Sequence, residues 1–186
     1  MLVRALAILA IGTTLGLASA AASIWHLAGH GALRVGPWVT PLDAGGPARG
    51  PYLRAAAALR ATLALSRQEA IYFRATTDTD GNPLEARCTY LVHGPDLPAR
   101  WWSITLYGTD HYLIPTPENR FSYASPNIAH DPEGTFTIHL SPTKQPGNWL
   151  DTADGDHLVL LTRLYQPKAT DPAQIPLPTI TRQDCL

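Results

Sequence analysis

The sequence has almost no excess charge of either sign. Its 14 Lys and Arg residues nearly balance 15 Asp and Glu residues, which leaves a formal net charge of -1 at pH 7. Proteins that bind nucleic acid carry a clustered basic face, so the composition argues against nucleic acid as a partner. Charged residues make up 16% of the chain and hydrophobic residues 45%, a balance that predicts a folded core and argues against disorder.

The sequence also lacks the short motifs that identify common enzymes. It has no Gly-x-Ser-x-Gly elbow and no glycine-rich phosphate loop, so serine hydrolysis and nucleotide cofactors have no support. Among its seven histidines, five lack the short spacings of zinc ligands, namely His93, His111, His130, His139 and His157. The segment from Asp78 to Asn82 superficially resembles a calcium loop, but Thr89 stands where an EF-hand needs its bidentate Glu. We therefore assign no catalytic residue, cofactor or metal.

A run with no charged residue lies near the N-terminus, from Ala5 to Ala28, and consists mainly of Ala, Leu, Ile and Gly. As a signal peptide, residues 1–28 offer Ala18-Ser19-Ala20 as a cleavage site. As a transmembrane anchor, they reach the roughly 20 apolar residues that cross a bilayer. Arg4 precedes the run, so both interpretations export the following domain. We expect a periplasmic protein that this helix anchors to the inner membrane, or that is released from it by cleavage.

Cysteine is scarce, since Cys88 and Cys185 are the only two in the chain. In an exported protein an even number of cysteines indicates a disulfide. The bridge would close a loop of roughly 100 residues, for which the chain-entropy model predicts about 4 to 5 kcal/mol of stabilisation. The alternative is two unpaired thiols, one buried in a strand and one on a frayed C-terminal tail.

Proline and glycine divide the rest of the chain into short elements. Seventeen prolines and 14 glycines cut helices short and suit strands that are joined by turns. Residues 29–50 are interpreted as an irregular linker that docks Trp38. From Pro51, apolar residues recur at helical spacing and predict one short helix.

The remaining pattern predicts five or six strands. Residues 69–76 and 84–92 flank a turn and predict a hairpin, and residues 101–107 alternate as a strand with one buried face. A second alternating strand is expected at 135–140 and a central strand at 157–165, followed by a proline-rich tail. The predicted fold is mainly β: one antiparallel sandwich or jelly-roll-like domain with one short N-terminal helix, preceded by the hydrophobic helix.

Aromatic and arginine residues are the strongest candidates for a binding surface, because such side chains commonly anchor ligands and partners. The candidate binding face consists of Trp101, Tyr107, Arg120, Trp149 and Arg163. The competing interpretation is that Trp102, Trp149 and Tyr165 fill the core, while the arginines satisfy buried acceptors. If the face binds, its partner is a small molecule, a glycan or an envelope protein. The sequence favours such a non-catalytic binding or structural module.

The alternative function is a carbohydrate-active enzyme or another hydrolase. It would use a pair of carboxylates in a jelly-roll cleft, for which Asp110 and Glu118 are candidates near the proposed face. Only the expected fold motivates this alternative, and a fold by itself does not identify an activity.

Seven short segments occur in an order that resembles a known family. They are Gly36-Pro37-Trp38, 51–55, 69–73, 99–107, 119–122, 147–150 and 163–167. With these gaps the chain resembles the Domain of Unknown Function 1214 family. The resemblance implies a β-rich, jelly-roll-like module of bacterial envelope proteins over residues 51–186, with no established reaction and no catalytic residues to transfer. Asp151 stands where the family often has proline.

Overall fold

The structure is a computed structural model in which the chain forms two units. The described residues fall into five ranges: 1–29, 32–40, 50–59, 65–152 and 156–185. The first unit combines Met1–Ala32 with Pro41–Ser66, and the second combines Leu33–Thr40 with Arg67–Leu186. The described helices α1 (Leu2–Gly29) and α2 (Pro51–Leu59) belong to the first unit. The strands belong to the second.

Helix α1 is the expected apolar N-terminal helix. Residues 2–26 are long and apolar enough to cross a membrane, and none of the most apolar part is buried. Length and composition fit a signal sequence and an anchor equally well. Helix α2 begins at Pro51, as predicted, because proline lacks only an N–H that the first helical turn does not use.

The described residues of the second unit form ten strands. In chain order these are β1 (Leu33–Val35), β2 (Trp38–Thr40), β3 (Ala70–Ala75), β4 (Cys88–Pro95), β5 (Ala99–Gly108), β6 (Ser122–Ala124), β7 (Thr135–Ser141), β8 (Asn148–Asp151), β9 (Leu158–Pro167) and β10 (Thr179–Cys185). They build a six-stranded sheet in the order β1-β2-β3-β9-β5-β6 and a four-stranded sheet in the order β10-β4-β7-β8. Strand β9 lies inside the larger sheet, as its near-continuous apolar sequence predicts.

The two sheets enclose one hydrophobic core, which confirms the predicted β-sandwich. Trp102 of β5 is fully buried and stacks on Phe136 of β7, with ring centroids 5.1 Å apart. Its indole Nε1 donates a hydrogen bond to Asp96 Oδ1 at 2.8 Å. The stack joins a strand of the larger sheet to a strand of the smaller one. Trp102 is thus a core residue, as one interpretation of the sequence expected.

One strand pair departs from the expected antiparallel arrangement. Strands β7 and β8 are parallel, with Ile138 opposite Asn148, while the other pairs are antiparallel. The residues between the two strands run back along β7 before β8 starts, and Gly147 has a φ of +75° just before β8. Glycine adopts this left-handed backbone conformation without a steric penalty.

The segment 29–50, expected to be an irregular linker, contains β1 and β2. The two strands pair with each other through a turn at Gly36, whose φ is +58°, and β2 also pairs with β3. Trp38 is fully buried, and its Nε1 donates to Pro178 O at 2.7 Å. The docking of this tryptophan is confirmed. Its burial in the core draws the flanking backbone into the sheet, and residues 41–49 lie outside the described ranges.

The predicted hairpin between residues 69–76 and 84–92 forms only at its tip, where Thr77 and Pro83 make an antiparallel bridge. The turn exists, since Asp78 Oδ1 accepts hydrogen bonds from the backbone N–H groups of Asp80 and Asn82. However, β3 belongs to the larger sheet and β4 to the smaller one. Each strand has one apolar face, so the two strands bury these faces across the core rather than pairing edge to edge.

The C-terminal segment, expected to be a proline-rich tail, ends in the strand β10. This strand pairs with β4 from Thr179 opposite His93 to Cys185 opposite Cys88, and Ile180 is fully buried. The predicted disulfide between Cys88 and Cys185 is confirmed, and it spans 97 positions of sequence. The tail forms a strand because Ile180 joins the core and because the disulfide holds the end of β10 beside β4.

Candidate functional site

Three aromatic side chains form a row across the outer face of the six-stranded sheet, the face turned away from the core. Trp101 lies opposite Tyr165 on the neighbouring strand, with ring centroids 5.5 Å apart. Tyr165 in turn contacts Tyr72 of β3 edge to face, at 6.4 Å between centroids. Trp101 is 38% exposed and the two tyrosines are half-buried. We call Trp101, Tyr165 and Tyr72 the aromatic row.

Arg163 lies on the same face of β9, two residues before Tyr165. Its Nη1 donates to Thr105 Oγ1 at 3.0 Å and its Nη2 donates to Tyr107 Oη at 2.7 Å. The guanidinium also lies 5.5 Å from the centroid of the Tyr107 ring. Neighbouring hydroxyls of β5 therefore hold the charged group in a defined place beside the aromatic row.

The environment of Tyr72 makes its hydroxyl harder to ionise. The pKa of Tyr72 is raised from 10.0 to about 12, mainly by burial and also by charge repulsion from, and a hydrogen bond with, the nearby Tyr165 phenol, while Arg163 lowers it. Burial disfavours the tyrosinate because the charged form loses hydration. The phenol therefore stays protonated well above neutral pH.

Alkaline titration tests this environment. The folded state holds the Tyr72 proton up to about pH 12, whereas the unfolded chain releases it near pH 10.0. The protonated Tyr72 phenol therefore contributes fully to the stability of the folded state below pH 10, and this contribution is lost as the pH rises toward 12. We expect Tyr72→Phe to abolish the part of the alkaline loss in unfolding free energy that Tyr72 causes. This part should be about 1 kcal/mol or less, because the group is partly solvated.

The measurement is urea unfolding at several pH values between 9 and 12, scored as the difference between wild type and Tyr72→Phe. Tyr112→Phe is the matched control, because Tyr112 is 75% exposed. A Tyr72→Phe curve parallel to the wild-type curve over this pH range would contradict the assigned environment.

Arg120 and Trp149, also assigned to the binding face, occupy a different place. Tyr123, whose side chain is buried between the sheets, connects them: its Oη accepts from Trp149 N at 2.9 Å, and its ring lies 5.1 Å from the Arg120 guanidinium. Trp149 Nε1 donates to Ser141 O at 2.9 Å. We call Arg120, Tyr123 and Trp149 the edge cluster, because β6 and β8 are edge strands of their sheets.

The structure thus separates the five predicted residues into two groups. Trp101, Tyr107 and Arg163 share the outer face, whereas Arg120 and Trp149 belong to the edge cluster. The separation follows from the strands that carry these residues. Trp149 is on β8 of the smaller sheet and Arg120 lies just before the edge strand β6, whereas the other three are on β5 and β9 of the larger sheet. Tyr165, interpreted as core in one reading of the sequence, is instead half-buried on the outer face.

Sequence reasoning missed two contributors to the outer face, Tyr72 and Thr105. The signal for both was strand alternation, which places Tyr72 opposite Arg163 and Thr105 opposite Leu161. Using that signal requires the strand order, because Tyr72 reaches the site only if β3 pairs with β9. The antiparallel register that brings them together is a property of the folded sheet.

The two acids proposed for a hydrolase have separate partners. Asp110 accepts a hydrogen bond from the backbone N–H of Tyr112 at 3.0 Å. Glu118 pairs with Lys144 at 2.8 Å, and this hydrogen bond, together with the lysine charge, lowers the pKa of Glu118. Within the described ranges, no group of three or more His, Cys, Asp and Glu side chains is placed to hold a metal ion.

The fold and the site define a class of protein: a two-sheet β-sandwich module, in a chain with an apolar N-terminal helix, that displays an aromatic row and an arginine on one sheet face. The model of the family described as "Protein of unknown function (DUF1214)" matches residues 69–169. The chain belongs to this family. The matched region contains the aromatic row and Arg163.

A solved structure shares the fold. A crystal structure of a protein from Vibrio parahaemolyticus has a TM-score of 0.60 and 22% identity, over 72% of this chain and 35% of the Vibrio chain. An uncharacterized protein from Burkholderia cenocepacia has a TM-score of 0.42 and 21% identity, over 63% of this chain and 30% of its own. No curated protein matches the sequence. The chain spans about a third of the length of the Vibrio protein.

Proposed function

We propose that this protein is a non-catalytic module on the extracytoplasmic side of a bacterial inner membrane, and that it binds a glycan along the outer face of the six-stranded sheet. The aromatic row is the observation that carries the proposal. Trp101 remains 38% exposed on β5. A flat aromatic ring offers an apolar surface to the C–H face of a sugar ring, while the sugar hydroxyls stay in water.

The spacing of the row suits a short stretch of glycan. It crosses from β5 through β9 to β3, which is two steps of about 4.8 Å in the hydrogen-bonding direction. A platform of about 10 Å accommodates roughly two sugar rings in a line. Two polar groups on the same face could orient such a ligand, the hydroxyl of Tyr107 and the guanidinium of Arg163, while the buried Thr105 hydroxyl holds the guanidinium.

Two features support the location. Helix α1 has the length and composition of a signal sequence or an anchor. The Cys88–Cys185 disulfide suits an oxidising compartment, because cytosolic thiols are kept reduced. Together they favour the periplasm, with the module held at the inner membrane by α1 or released after cleavage.

The proposal does not extend to hydrolysis. Glycoside hydrolases use two carboxyl groups that meet across the scissile bond. Asp110 and Glu118, the candidate acids, are engaged with Tyr112 and Lys144 respectively. The outer face instead combines aromatic, hydroxyl and guanidinium groups, which bind but do not supply the acid and base of glycoside cleavage.

Removal of the exposed indole is expected to weaken glycan binding. Stacked aromatic anchors contribute about 2 kcal/mol or more at binding hot spots, so Trp101→Ala should raise the dissociation constant at least about tenfold. Isothermal titration calorimetry measures this with the full chain in a detergent that has no sugar headgroup, against soluble cello-, chito- and uronate oligosaccharides.

Tyr112→Ala provides the matched control. Tyr112 is 75% exposed and is not part of the aromatic row, so its removal should leave affinity unchanged. The proposal fails if the wild-type chain binds none of these oligosaccharides, or if Trp101→Ala binds as tightly as the wild type.

A further inference from the structure

Arg163 carries a positive charge that no acidic side chain of the described chain neutralises. Its hydrogen bonds go to the hydroxyls of Thr105 and Tyr107, both neutral acceptors. The ion pairs of the described residues involve other groups. A guanidinium has five N–H donors, so these two bonds leave three donors for a ligand.

The neighbours of Arg163 on the outer face are not acidic either. Tyr72 lies opposite it on β3 and Ser103 lies opposite it on β5. Leu161 and Tyr165 precede and follow it on the same face of β9. The positive charge of Arg163 therefore meets aromatic, aliphatic and hydroxyl groups, and it is half-buried among them. Partial burial strengthens its attraction for an anion relative to bulk water.

By contrast, Arg182 is neutralised by acidic side chains. Arg182 of β10 pairs with Asp78 at 3.4 Å and with Glu85 at 4.0 Å, and its Nη2 donates to Pro83 O at 2.6 Å. That arginine has a structural role, because it ties the last strand to the loop after β3. Arg163 has no comparable counterion, so the same explanation does not apply to it.

We propose that the glycan ligand is acidic, and that a sugar carboxylate binds Arg163 while the sugar rings stack on the aromatic row. This inference rests on the function proposed above. Tyr165 and Arg163 are two residues apart on one face of β9, so their backbones are about 7 Å apart, and the guanidinium extends from there toward Thr105 and Tyr107. A planar guanidinium suits a planar carboxylate better than it suits a hydroxyl.

The test compares ligands that differ only in charge. Oligogalacturonate, oligoglucuronate and peptidoglycan fragments that contain muramic acid are each titrated into the full chain beside their methyl esters, which keep the size and remove the charge. We expect at least one acid to bind about tenfold or more tightly than its ester, as one charge-assisted hydrogen bond implies. Raising the salt concentration should weaken binding of the acid and leave binding of the ester unchanged.

Three variants of the full chain locate the effect. Arg163→Gln should bind the acid no better than it binds the ester. Arg163→Lys should keep part of the preference, because it retains the charge without the planar fork. Trp101→Ala should weaken binding of both the acid and the ester. A melting curve for each variant shows that it is folded.

The outcomes separate the two proposals. Equal affinity of the wild type for acids and esters overturns the acidic ligand and leaves the glycan module standing. A preference for acid that survives in a folded Arg163→Gln variant also overturns it. If the wild type binds none of the acids and none of the esters, both the acidic ligand and the glycan module are overturned.

Discussion

Reduction of the Cys88–Cys185 disulfide is expected to lower the free energy of unfolding by about 3 to 5 kcal/mol. The bridge spans 97 positions of sequence, so it removes a large loop-closure entropy from the unfolded chain. The folded state should persist after reduction, because Ile180 stays in the core and Arg182 still pairs with Asp78. The loss therefore arises mainly in the unfolded ensemble.

Urea unfolding of the full chain in detergent, with and without a phosphine reductant, measures this effect. The double variant Cys88→Ala, Cys185→Ala is the matched control, and its unfolding midpoint should equal that of the reduced wild type and should not respond to the reductant. The slope against urea should rise on reduction, because the unfolded chain becomes less compact. Unchanged wild-type stability on reduction would contradict a bridge formed in solution.

Replacement of Trp102 by alanine is expected to cost about 3 to 5 kcal/mol of stability, which approaches the total for many domains of this size. The side chain is fully buried, stacks on Phe136 of the opposite sheet and donates a hydrogen bond to Asp96. Alanine would leave a cavity at the junction of the two sheets and would remove the hydrogen bond to the exposed Asp96 carboxylate. The variant should melt at a much lower temperature or fail to accumulate folded.

The adjacent tryptophan is the matched control for this variant. Trp101 is the next residue on the same strand but points to the outer face and is 38% exposed. Trp101→Ala should cost only about 1 kcal/mol of stability, mainly through loss of the contact with the Tyr165 ring, while it weakens glycan binding. Trp102→Phe, which keeps an aromatic ring for the stack, should retain most of the stability. Similar losses for Trp101→Ala and Trp102→Ala would contradict the assigned orientation of β5.

These two variants also separate the structural role of the aromatic residues from the proposed binding role. In the sequence, Trp101 and Trp102 are adjacent and chemically identical. On the strand, one ring supports the core and the other begins the aromatic row. A module that binds through a sheet face needs both, because a rigid sheet keeps the exposed rings in line without a cost in ordering them on binding.

Composition and local pattern were enough for several features. The uncharged run before residue 29 predicted α1, the alternation of residues 101–107 predicted β5, and the two cysteines in an exported chain predicted the bridge. These features depend on properties that are local or pairwise: the length of an apolar run, the two-residue period of a strand, and the redox state of a compartment. The family resemblance also came from residues alone.

Which strands pair, and which residues form the site, is decided only in the folded sheets. No local pattern tells residues 70–75 to pair with β9 rather than with β4, since both choices bury the same apolar face. That choice brings Tyr72 beside Arg163 and separates Arg120 and Trp149 from them. Sequence pattern identified which side chains could bind, whereas long-range register, set by how the two sheets share one core, determined which of them stand together.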